Sequence, residues 1–459
     1  MNNIPGDASP PARRHRQGRP SLGGLLTVCT LALLLSPATT PAASTAQPLL
    51  LAAGDLRGEI KPCGCSPEGQ QGGLPRRLSY LASHLANDPQ DPEQAPLLLD
   101  LGNNFPPPSA QGKLKIRLIQ DLLLRFPPQA ILPGPNELAL GVEALDNRLP
   151  YLLSNEETGK DFTRERTVTR GGRRIGIFGY LSPTLVYQGS QQRLRLLPLS
   201  AALLERWRER QRLLGHELAV LLFRGNDEEL ATLLSSGLFR HIIAGNPHSD
   251  EMNQIVERVV AANRVPQVPT KGQGFLRIAL DGGAATVDWL TDAWPDHADA
   301  RQPFAAYDEA VKALFFARLE TMEKRKAESP YLGAQACLAC HAKPHQLWRA
   351  SRHANAVQTL ERVGKAFDPE CLACHVAGLN SGGFLSMGLT PHLAGVQCEN
   401  CHGPARAHAL NPKANRPGLD PRRGAGRSAR SGESVCRSCH VGSHSPNFVF
   451  ERYWPIIRH

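Results

Sequence analysis

Four copies of one short cysteine motif constrain this chain of 459 residues more than any other feature. In each copy, two cysteines separated by two residues are followed directly by a histidine: Cys337-Leu-Ala-Cys340-His341, Cys371-Leu-Ala-Cys374-His375, Cys398-Glu-Asn-Cys401-His402 and Cys436-Arg-Ser-Cys439-His440. Thiols at this spacing share one helical turn, where each can form a thioether with a vinyl group of one porphyrin. The adjacent imidazole then binds the iron. The motifs therefore predict four haem c groups held by the eight cysteines, with His341, His375, His402 and His440 as proximal iron ligands.

Two other uses of paired cysteines fit the motifs less well. A structural zinc site needs a closed set of four ligands, whereas each cysteine pair here carries its own histidine. A thioredoxin-like redox pair has no use for that histidine. All eight cysteines after residue 330 belong to the motifs, so none remains for a separate site.

The same region holds candidates for the sixth iron ligand. Met387 is the only methionine after residue 330, so at most one iron has the methionine ligation that raises haem potential. Six histidines lie outside the motifs: His345, His353, His392, His408, His444 and His459. Most haems are therefore expected to be bis-histidine and low in potential. An iron without a sixth protein ligand would be open to a small molecule.

Residues 330–459 are predicted to form a small, mainly helical or irregular multihaem domain. With about 32 residues per haem, the chain is too short to enclose each cofactor in a conventional core. The segment 331–459 carries fifteen Lys or Arg against seven Asp or Glu, within a formal charge of +10 for the whole chain. Haem propionates account for this basicity better than an anionic partner does, so no nucleic-acid partner is expected.

Residues 1–46 are predicted to be a signal peptide. Four arginines precede an apolar run from Leu22 to Leu35, and small residues follow as far as Ala46. The run is shorter than the roughly 20 residues of a spanning helix. We expect cleavage between Ala42 and Ala46 and a periplasmic protein; an uncleaved anchor is the alternative.

Residues 47–302 alternate apolar runs with helical patterns, which is typical of an α/β layered fold. The runs are Pro48–Asp55, Pro96–Asn103, Ala130–Gly134, Arg174–Tyr180, Leu218–Arg224 and His241–Gly245, and the helical patterns include Gly73–Leu85, Leu114–Phe126 and Ser200–Leu214. Loops at the strand ends are where such a fold places its chemistry. Residues 303–329 are predicted to be a linker helix, because Tyr307, Val311, Leu314, Phe315, Leu319 and Met322 form one apolar stripe.

Cys63 and Cys65 are the only other cysteines beyond the predicted leader. One interpretation is a thiol pair for a soft metal or a redox substrate. The other is a local disulfide or a pair of structural thiols, which export makes plausible. The sequence favours neither.

The tail resembles the tetrahaem cytochrome c-554 family. The resemblance rests on Trp348-Arg-Ala-Ser-Arg-His353-Ala, on Gly395-Val-Gln-Cys-Glu-Asn-Cys-His-Gly-Pro404 with His408, and on Ser445-Pro-Asn-Phe448 with the closing Tyr453-Trp-Pro-Ile-Ile-Arg-His459. It implies electron transfer, with His353, His392, His408 and His459 as distal iron ligands. It is weaker at His345 and His444. In such proteins one haem can be five-coordinate.

The strand-end loops of residues 47–302 resemble the metallophosphoesterase and 5′-nucleotidase superfamily, with its metal ligands altered. Where that family has Asp-x-His this chain has Asp55-Leu-Arg57, and the Gly-Asp and Gly-Asn-His-Glu positions read Gly102-Asn103 and Gly134-Pro-Asn-Glu137. Arg224 stands near the position of a later histidine, and Gly-His-x-His reads Gly245-Asn-Pro-His248. A two-metal site needs bridging carboxylates and neutral imidazoles, and an arginine places a fixed cation there instead. The resemblance implies a retained fold that has lost hydrolase activity.

Together these features predict an exported tetrahaem cytochrome that transfers electrons between periplasmic redox partners. An association with membrane electron-transfer complexes is left open. Two alternatives remain: a haem-dependent reductase of a small nitrogen, sulfur or chalcogen species, and a haem-linked phosphoesterase. The motifs do not identify a catalytic residue.

Overall fold

The computed structural model describes most of the chain after the predicted leader. The described residues are 49–62, 70–85, 93–187, 189, 194–246, 257–323, 328–413, 415, 429–441, 444–445 and 447–459. The signal peptide predicted over 1–46, the Cys63–Cys65 pair and His248 lie outside them. Within these ranges no helix combines the length and hydropathy that crossing a bilayer requires.

Two sheets form the core of the N-terminal α/β region. The first has the strand order β11-β10-β1-β2-β3, with β1, β2 and β3 parallel and β10 antiparallel to both of its neighbours. Its strands are β1 Leu49–Ala53, β2 Leu97–Asp100, β3 Ala130–Ile131, β10 Gly274–Ala279 and β11 Thr286–Trp289. The second has the order β4-β5-β6-β7, with β5, β6 and β7 parallel. Its strands are β4 Glu165–Arg170, β5 Arg173–Leu181, β6 Leu218–Arg224 and β7 His241–Ala244, and a separate hairpin pairs β8 Glu257–Val260 with β9 Asn263–Pro266.

The two sheets lie face to face between outer helices, because their strands are apolar on both sides. In β1, Leu50 and Ala52 pack into the large cluster that also holds Ile177 and Val220 of the second sheet. The alternate residues of β1 face the other way and pack with Tyr80 of the first helix. A strand buried on both faces reads as a continuous apolar run, which is why the sequence located these central strands. The predicted α/β layered fold is confirmed.

Helices cover the outer faces of the sheets and form most of the tail. Those of the α/β region are α1 Leu74–Leu85, α2 Ala110–Leu123, α3 Pro135–Ala139, α4 Ala201–Leu213 and α5 Asp227–Ser235. Those that follow are α6 Arg301–Glu323, α7 Ala342–Ala350, α8 Ala356–Arg362, α9 Pro369–His375, α10 Cys398–His402, α11 Arg406–Leu410, α12 Ala429–Arg437 and α13 Phe450–Ile457.

Helix α6 spans both cores. Tyr307 and Val311 are buried in the cluster between the sheets. One to two turns further along, Phe315 and Leu319 are buried in a smaller cluster with Leu372 and other residues of the tail. The apolar stripe of α6 therefore packs first into the core between the two sheets and then into the core of the tail.

Candidate functional site

Polar side chains of the α/β region converge where its parallel strands end. Asp100 is the last residue of β2, Arg224 is the last of β6, and Asp55 follows β1 by two positions. All three are almost completely buried. Asp55 has φ 56° and Asn103 has φ 54°, both in the left-handed region that side chains other than glycine rarely adopt. The backbone at this edge is therefore bent to bring the loops together.

Every oxygen of the two aspartates accepts hydrogen bonds from within the chain. Asp55 Oδ1 accepts from Asn103 Nδ2 at 3.0 Å and from Arg224 Nη1 at 3.3 Å, and Arg57 Nη2 lies 2.9 Å from Asp55 Oδ2. Asp100 Oδ2 accepts from Arg77 Nη2 at 2.7 Å. Asp100 Oδ1 accepts at 2.8 Å from the amide nitrogen of Gly102 and at 2.8 Å from Asn104 Nδ2.

Arg224 occupies the middle of this cluster. Besides Asp55, its guanidinium donates to the carbonyl oxygen of Leu101 at 2.9 Å and to that of Asn246. A Cβ on Gly245 would lie 2.5 Å from Arg224 Nη2, so the loop after β7 leaves room for the guanidinium only because it has glycine there. Guanidinium groups thus donate hydrogen bonds to the carboxylates of both aspartates.

The donor set does not fit a pair of metal ions. Both aspartates are ion-paired to arginine, and the described residues contain no group of three histidine, cysteine or acidic side chains arranged to hold a metal. The altered motif positions that the structure describes do lie together where the parallel strands end. The last of them, His248, is outside the described residues.

Glu137 is the remaining acid of the cluster. Its carboxylate is completely buried and accepts from the amide nitrogens of Asn104 at 2.6 Å and Gly134 at 3.0 Å. Burial raises the pKa of Glu137 to about 7, and the amide donors and Arg224 only partly offset it. Glu137 ties two strand-end loops together instead of facing a substrate.

The cysteine motifs lie on short helical segments of the tail. The first motif begins at Cys337, the last residue of a single helical turn over Ala334–Cys337. It ends at His341, the residue before α7. The second and third form α9 and α10, and the fourth begins at the end of α12. The Cys398 thiol lowers the pKa of Cys337, and the Cys337 thiol raises the pKa of Cys398, so the first and third motifs are neighbours.

Three motif histidines face an imidazole from a distant part of the tail. The ring centres are 6.0 Å apart for His341 and His408, 6.1 Å for His440 and His353, and 5.7 Å for His402 and His459. Two imidazoles bound to opposite sides of one metal, with metal–nitrogen bonds of about 2 Å, place their ring centres about 6 Å apart. The three pairs therefore have the spacing of axial ligand pairs.

The environment of the His353 and His440 rings favours neutral imidazoles, the form that binds metals. Burial lowers the pKa of His353, and the neighbouring His440 lowers it further. Burial likewise lowers the pKa of His440. Each ring then has a lone pair available for iron.

His375 of the second motif is different. Its Nδ1 lies 2.7 Å from the carbonyl oxygen of Ala356 and 3.3 Å from Thr359 Oγ1, which holds the ring and leaves Nε2 for iron. Among the described residues it forms no ring pair at the spacing of the other three, and its charge helps to lower the pKa of the buried His444. The structure also does not bring His392 to any motif histidine: this ring is exposed beside Gly333.

Two features of the tail fit a bulky prosthetic group. His345 is 4% exposed, yet its Nε2 has no hydrogen-bond partner among the described residues, although a buried polar atom ordinarily has one. Ten of the fourteen large apolar side chains that the described residues leave exposed lie after residue 330: Leu338, Leu347, Val363, Met387, Leu389, Leu410, Val441, Val449, Tyr453 and Ile456. Apolar macrocycles packed against these side chains would cover them.

The variable positions of the third motif have a structural role that the sequence reasoning missed. Glu399 accepts from the amide nitrogens of Leu332, Gly333 and Ala405 at 2.7–3.1 Å. Asn400 Nδ2 donates to the carbonyl oxygen of Val376 at 2.9 Å. Both side chains are buried and connect the third motif to the first and second. The one sequence feature that could have indicated this role is that both residues between the cysteines of the third motif are polar.

Comparisons with known proteins agree with the motif analysis of the tail. The family described as Cytochrome c554 and c-prime matches residues 336–403. Cytochrome c-554 of Nitrosomonas europaea is 35% identical over 112 residues, which cover 21% of this chain and 47% of that protein. The chain thus spans about half the length of this relative. The resemblance to the cytochrome c-554 family predicted from the sequence is confirmed for this segment.

Solved structures similar to the chain include two hydrolases from Thermus thermophilus. A 5′-nucleotidase precursor has a TM-score of 0.45 and 18% identity, over 58% of this chain and 59% of that one. The sulfate thiohydrolase SoxB has a TM-score of 0.45 and 15% identity, over 63% of each chain.

Proposed function

We propose that this protein is an exported tetrahaem c-type cytochrome that passes single electrons between redox proteins of the periplasm. A haem bound at each motif supplies the one-electron chemistry, with Cys337, Cys340, Cys371, Cys374, Cys398, Cys401, Cys436 and Cys439 as its thioether anchors. The protein sets each potential through the axial ligands, the burial and the hydrogen bonds around them.

The three facing histidine pairs are the observation that supports this proposal most strongly. On this proposal His408 is the sixth ligand at the first motif, His459 at the third and His353 at the fourth, because each pair of rings has the spacing of axial ligands. Iron with two imidazole ligands cycles between two oxidation states without exchanging a ligand. A set of such irons suits electron transfer rather than substrate turnover.

The contacts between motifs support a relay. Cys337 and Cys398 are close enough to shift each other's pKa, so haems anchored there would lie side by side. Glu399 holds the segment just before the first motif through the amide nitrogen of Gly333. Asn400 holds the residue just after the second motif through the carbonyl oxygen of Val376. These buried hydrogen bonds hold the attachment points at constant separation, and electron tunnelling depends steeply on separation.

Electron paramagnetic resonance of the matured protein tests the ligand assignment. We expect three low-spin haems and one high-spin haem. His353→Ala, His408→Ala and His459→Ala should each convert one low-spin haem to high-spin, whereas the control His392→Ala should leave the spectrum unchanged. Conversion by His392→Ala with none by His408→Ala would overturn the assignment.

We propose that the α/β region is a scaffold without hydrolase activity. The buried arginines that pair with Asp55 and Asp100 support this, since they occupy the carboxylates that a metal ion would need. Phosphatase assays with added manganese or zinc should show no turnover. Metal-dependent turnover that disappears in Asp55→Asn would instead support the haem-linked phosphoesterase.

A haem-dependent reductase of a small nitrogen, sulfur or chalcogen species is a second candidate function. It is favoured by one observation: among the described residues, the second motif's His375 forms no ring pair at the spacing of the other three. An iron held there would keep a coordination position for a small molecule. Binding of carbon monoxide to the reduced protein would support this function, and a spectrum with low-spin haems only would exclude it.

A further inference from the structure

A buried lysine of the α/β region is ion-paired to the helix that carries the second motif. Lys115 of α2 is 8% exposed; its ammonium lies 2.6 Å from Glu370 Oε2 and donates to the carbonyl oxygen of Gly58 at 2.9 Å. Glu370 belongs to α9 and immediately precedes Cys371. Lysine is rarely buried unless it is paired, so this ion pair fixes the two regions to each other.

A second contact holds the same end of α9. One turn earlier on α2, Gln111 donates from Nε2 to Asp368 Oδ1 at 2.9 Å and to the Tyr307 hydroxyl at 3.0 Å. Asp368 is the N-cap of α9, and its Oδ1 also accepts from the amide nitrogen of Glu370 at 3.1 Å. Gln111, Asp368 and Tyr307 are all buried. The α/β region therefore fixes the start of the helix that bears the second motif.

The charges at this contact lie beside the place where a haem would be attached. Burial raises the pKa of the Cys371 thiol to about 12. The acids Asp368 and Glu370 add to this increase, and the lysines Lys365 and Lys115 oppose it. Reduction of a haem from the ferric to the ferrous state adds one electron to the iron and changes no other bond. A nearby cation therefore raises the reduction potential, and a nearby anion lowers it.

We propose that Lys115 is a positioning residue for the second haem. By pairing with Glu370 it holds α9 in place, and it keeps the reduction potential of that haem higher than an unpaired carboxylate would leave it. This inference deepens the proposed function and rests on it, because it needs a haem held by the second motif. It also gives the α/β region a use that requires no hydrolase activity: the region sets the potential of one electron carrier.

Redox titration of the matured protein tests this inference, with absorption and electron paramagnetic resonance recorded at set potentials to give the midpoint of each haem. Lys115→Met leaves Glu370 without its cation. It should shift the reduction equilibrium of the second haem about threefold toward the oxidised form, which lowers the midpoint by about 30 mV at roughly 59 mV per decade. Glu370→Gln removes the anion instead and should raise the same midpoint by a similar amount. The other three midpoints should change less.

Further variants separate the effect of charge from that of folding. The Glu370 side chain is half-exposed, so Glu370→Gln should fold even where Lys115→Met does not. Lys115→Arg keeps the cation and should keep the wild-type midpoint. Lys312→Met, which removes a half-exposed lysine of α6 paired with Glu309, is the matched control and should move no midpoint.

The possible failures are distinguishable. A protein that carries no haem overturns the proposed function itself. With four haems attached, equal midpoints in Lys115→Met, Glu370→Gln and the control leave the cytochrome intact and overturn the role of Lys115. A shift in the same direction in both variants also overturns it, because a disturbed fold, and not the charge, would then be responsible.

Discussion

At the scale of single residues, the most informative position is Arg224. It is 1% exposed, and its guanidinium interacts inside the protein with Asp55, Leu101, Asn246 and, through charge, Glu137. A buried cation of this kind is tolerated only because it is paired, and its removal leaves the buried Asp55 with Arg57 and Asn103 but without its most deeply buried cation. Arg224 is therefore part of the folded core.

Arg224→Met should therefore destabilise the protein strongly. We expect a loss of about 3–5 kcal/mol in the free energy of unfolding, measured by urea denaturation with far-ultraviolet circular dichroism, because Asp55 loses a buried partner. Arg148→Met, which removes an exposed arginine paired with Asp146, is the control and should be neutral. Equal stability of Arg224→Met and wild type would show that the cluster does not depend on the guanidinium.

Glu137 predicts a pH dependence of stability. Its folded-state pKa of about 7 lies above its ordinary value of 4.5, so the folded protein binds this proton more tightly than the unfolded chain. The contribution is fully present below about pH 4.5 and is lost as the pH rises through about 7. Relative to Glu137→Gln, the wild type should lose up to about 3 kcal/mol over this range.

Denaturation midpoints measured between about pH 4.5 and about pH 7.5 would show this difference. The exposed Glu320 offers a control, since Glu320→Gln should run parallel to the wild type. If the stability of Glu137→Gln also ran parallel to that of the wild type over this pH range, the buried carboxyl of Glu137 would be ionised throughout.

At the scale of elements, α6 connects the stability of the α/β region to that of the tail. Two adjacent phenylalanines on this helix have opposite environments: Phe315 is 3% exposed in the tail cluster, whereas Phe316 is 50% exposed. Because the two side chains are identical and adjacent on one helix, replacing each by alanine changes helix propensity equally. Any difference in stability between the two variants then reports on burial.

Phe315→Ala should lower the free energy of unfolding of the tail by about 3–5 kcal/mol, while Phe316→Ala should have little effect. The haem absorption bands during urea denaturation report on the tail, and far-ultraviolet circular dichroism reports on the whole chain. A comparable effect of both substitutions would show that α6 acts through its helical structure and not through the buried contact.

At the scale of the whole molecule, the sequence predicted the features that are local. The cysteine motifs follow from spacing, and β1, β2, β5 and β6 follow from uninterrupted apolar runs that are buried on both faces. The sequence did not predict the strands that pair antiparallel at the edges of the two sheets. β4, for example, reads Glu-Arg-Thr-Val-Thr-Arg and is only half-buried, so its identity depends on pairing with β5 and not on its own pattern.

The partners of the motif histidines could not be predicted from the sequence either, because they depend on contacts between distant segments. His341 and His408, or His353 and His440, meet only when the tail folds, and counting histidines offered six candidates for four positions. By its sequence context His392 was as suitable as His408, yet it lies exposed beside Gly333. Likewise, the contact of Glu370 with Lys115 joins two regions that have no recognisable relation in sequence.

Intact mass spectrometry of the protein, purified from a host with the haem-attachment machinery, tests the tetrahaem assignment most directly. We predict a single species whose mass exceeds that of the chain from about residue 47 onward by four covalently attached haems, with the pigment retained in acidified acetone. A mass without added haem, or pigment that is extracted by the acid, would contradict it.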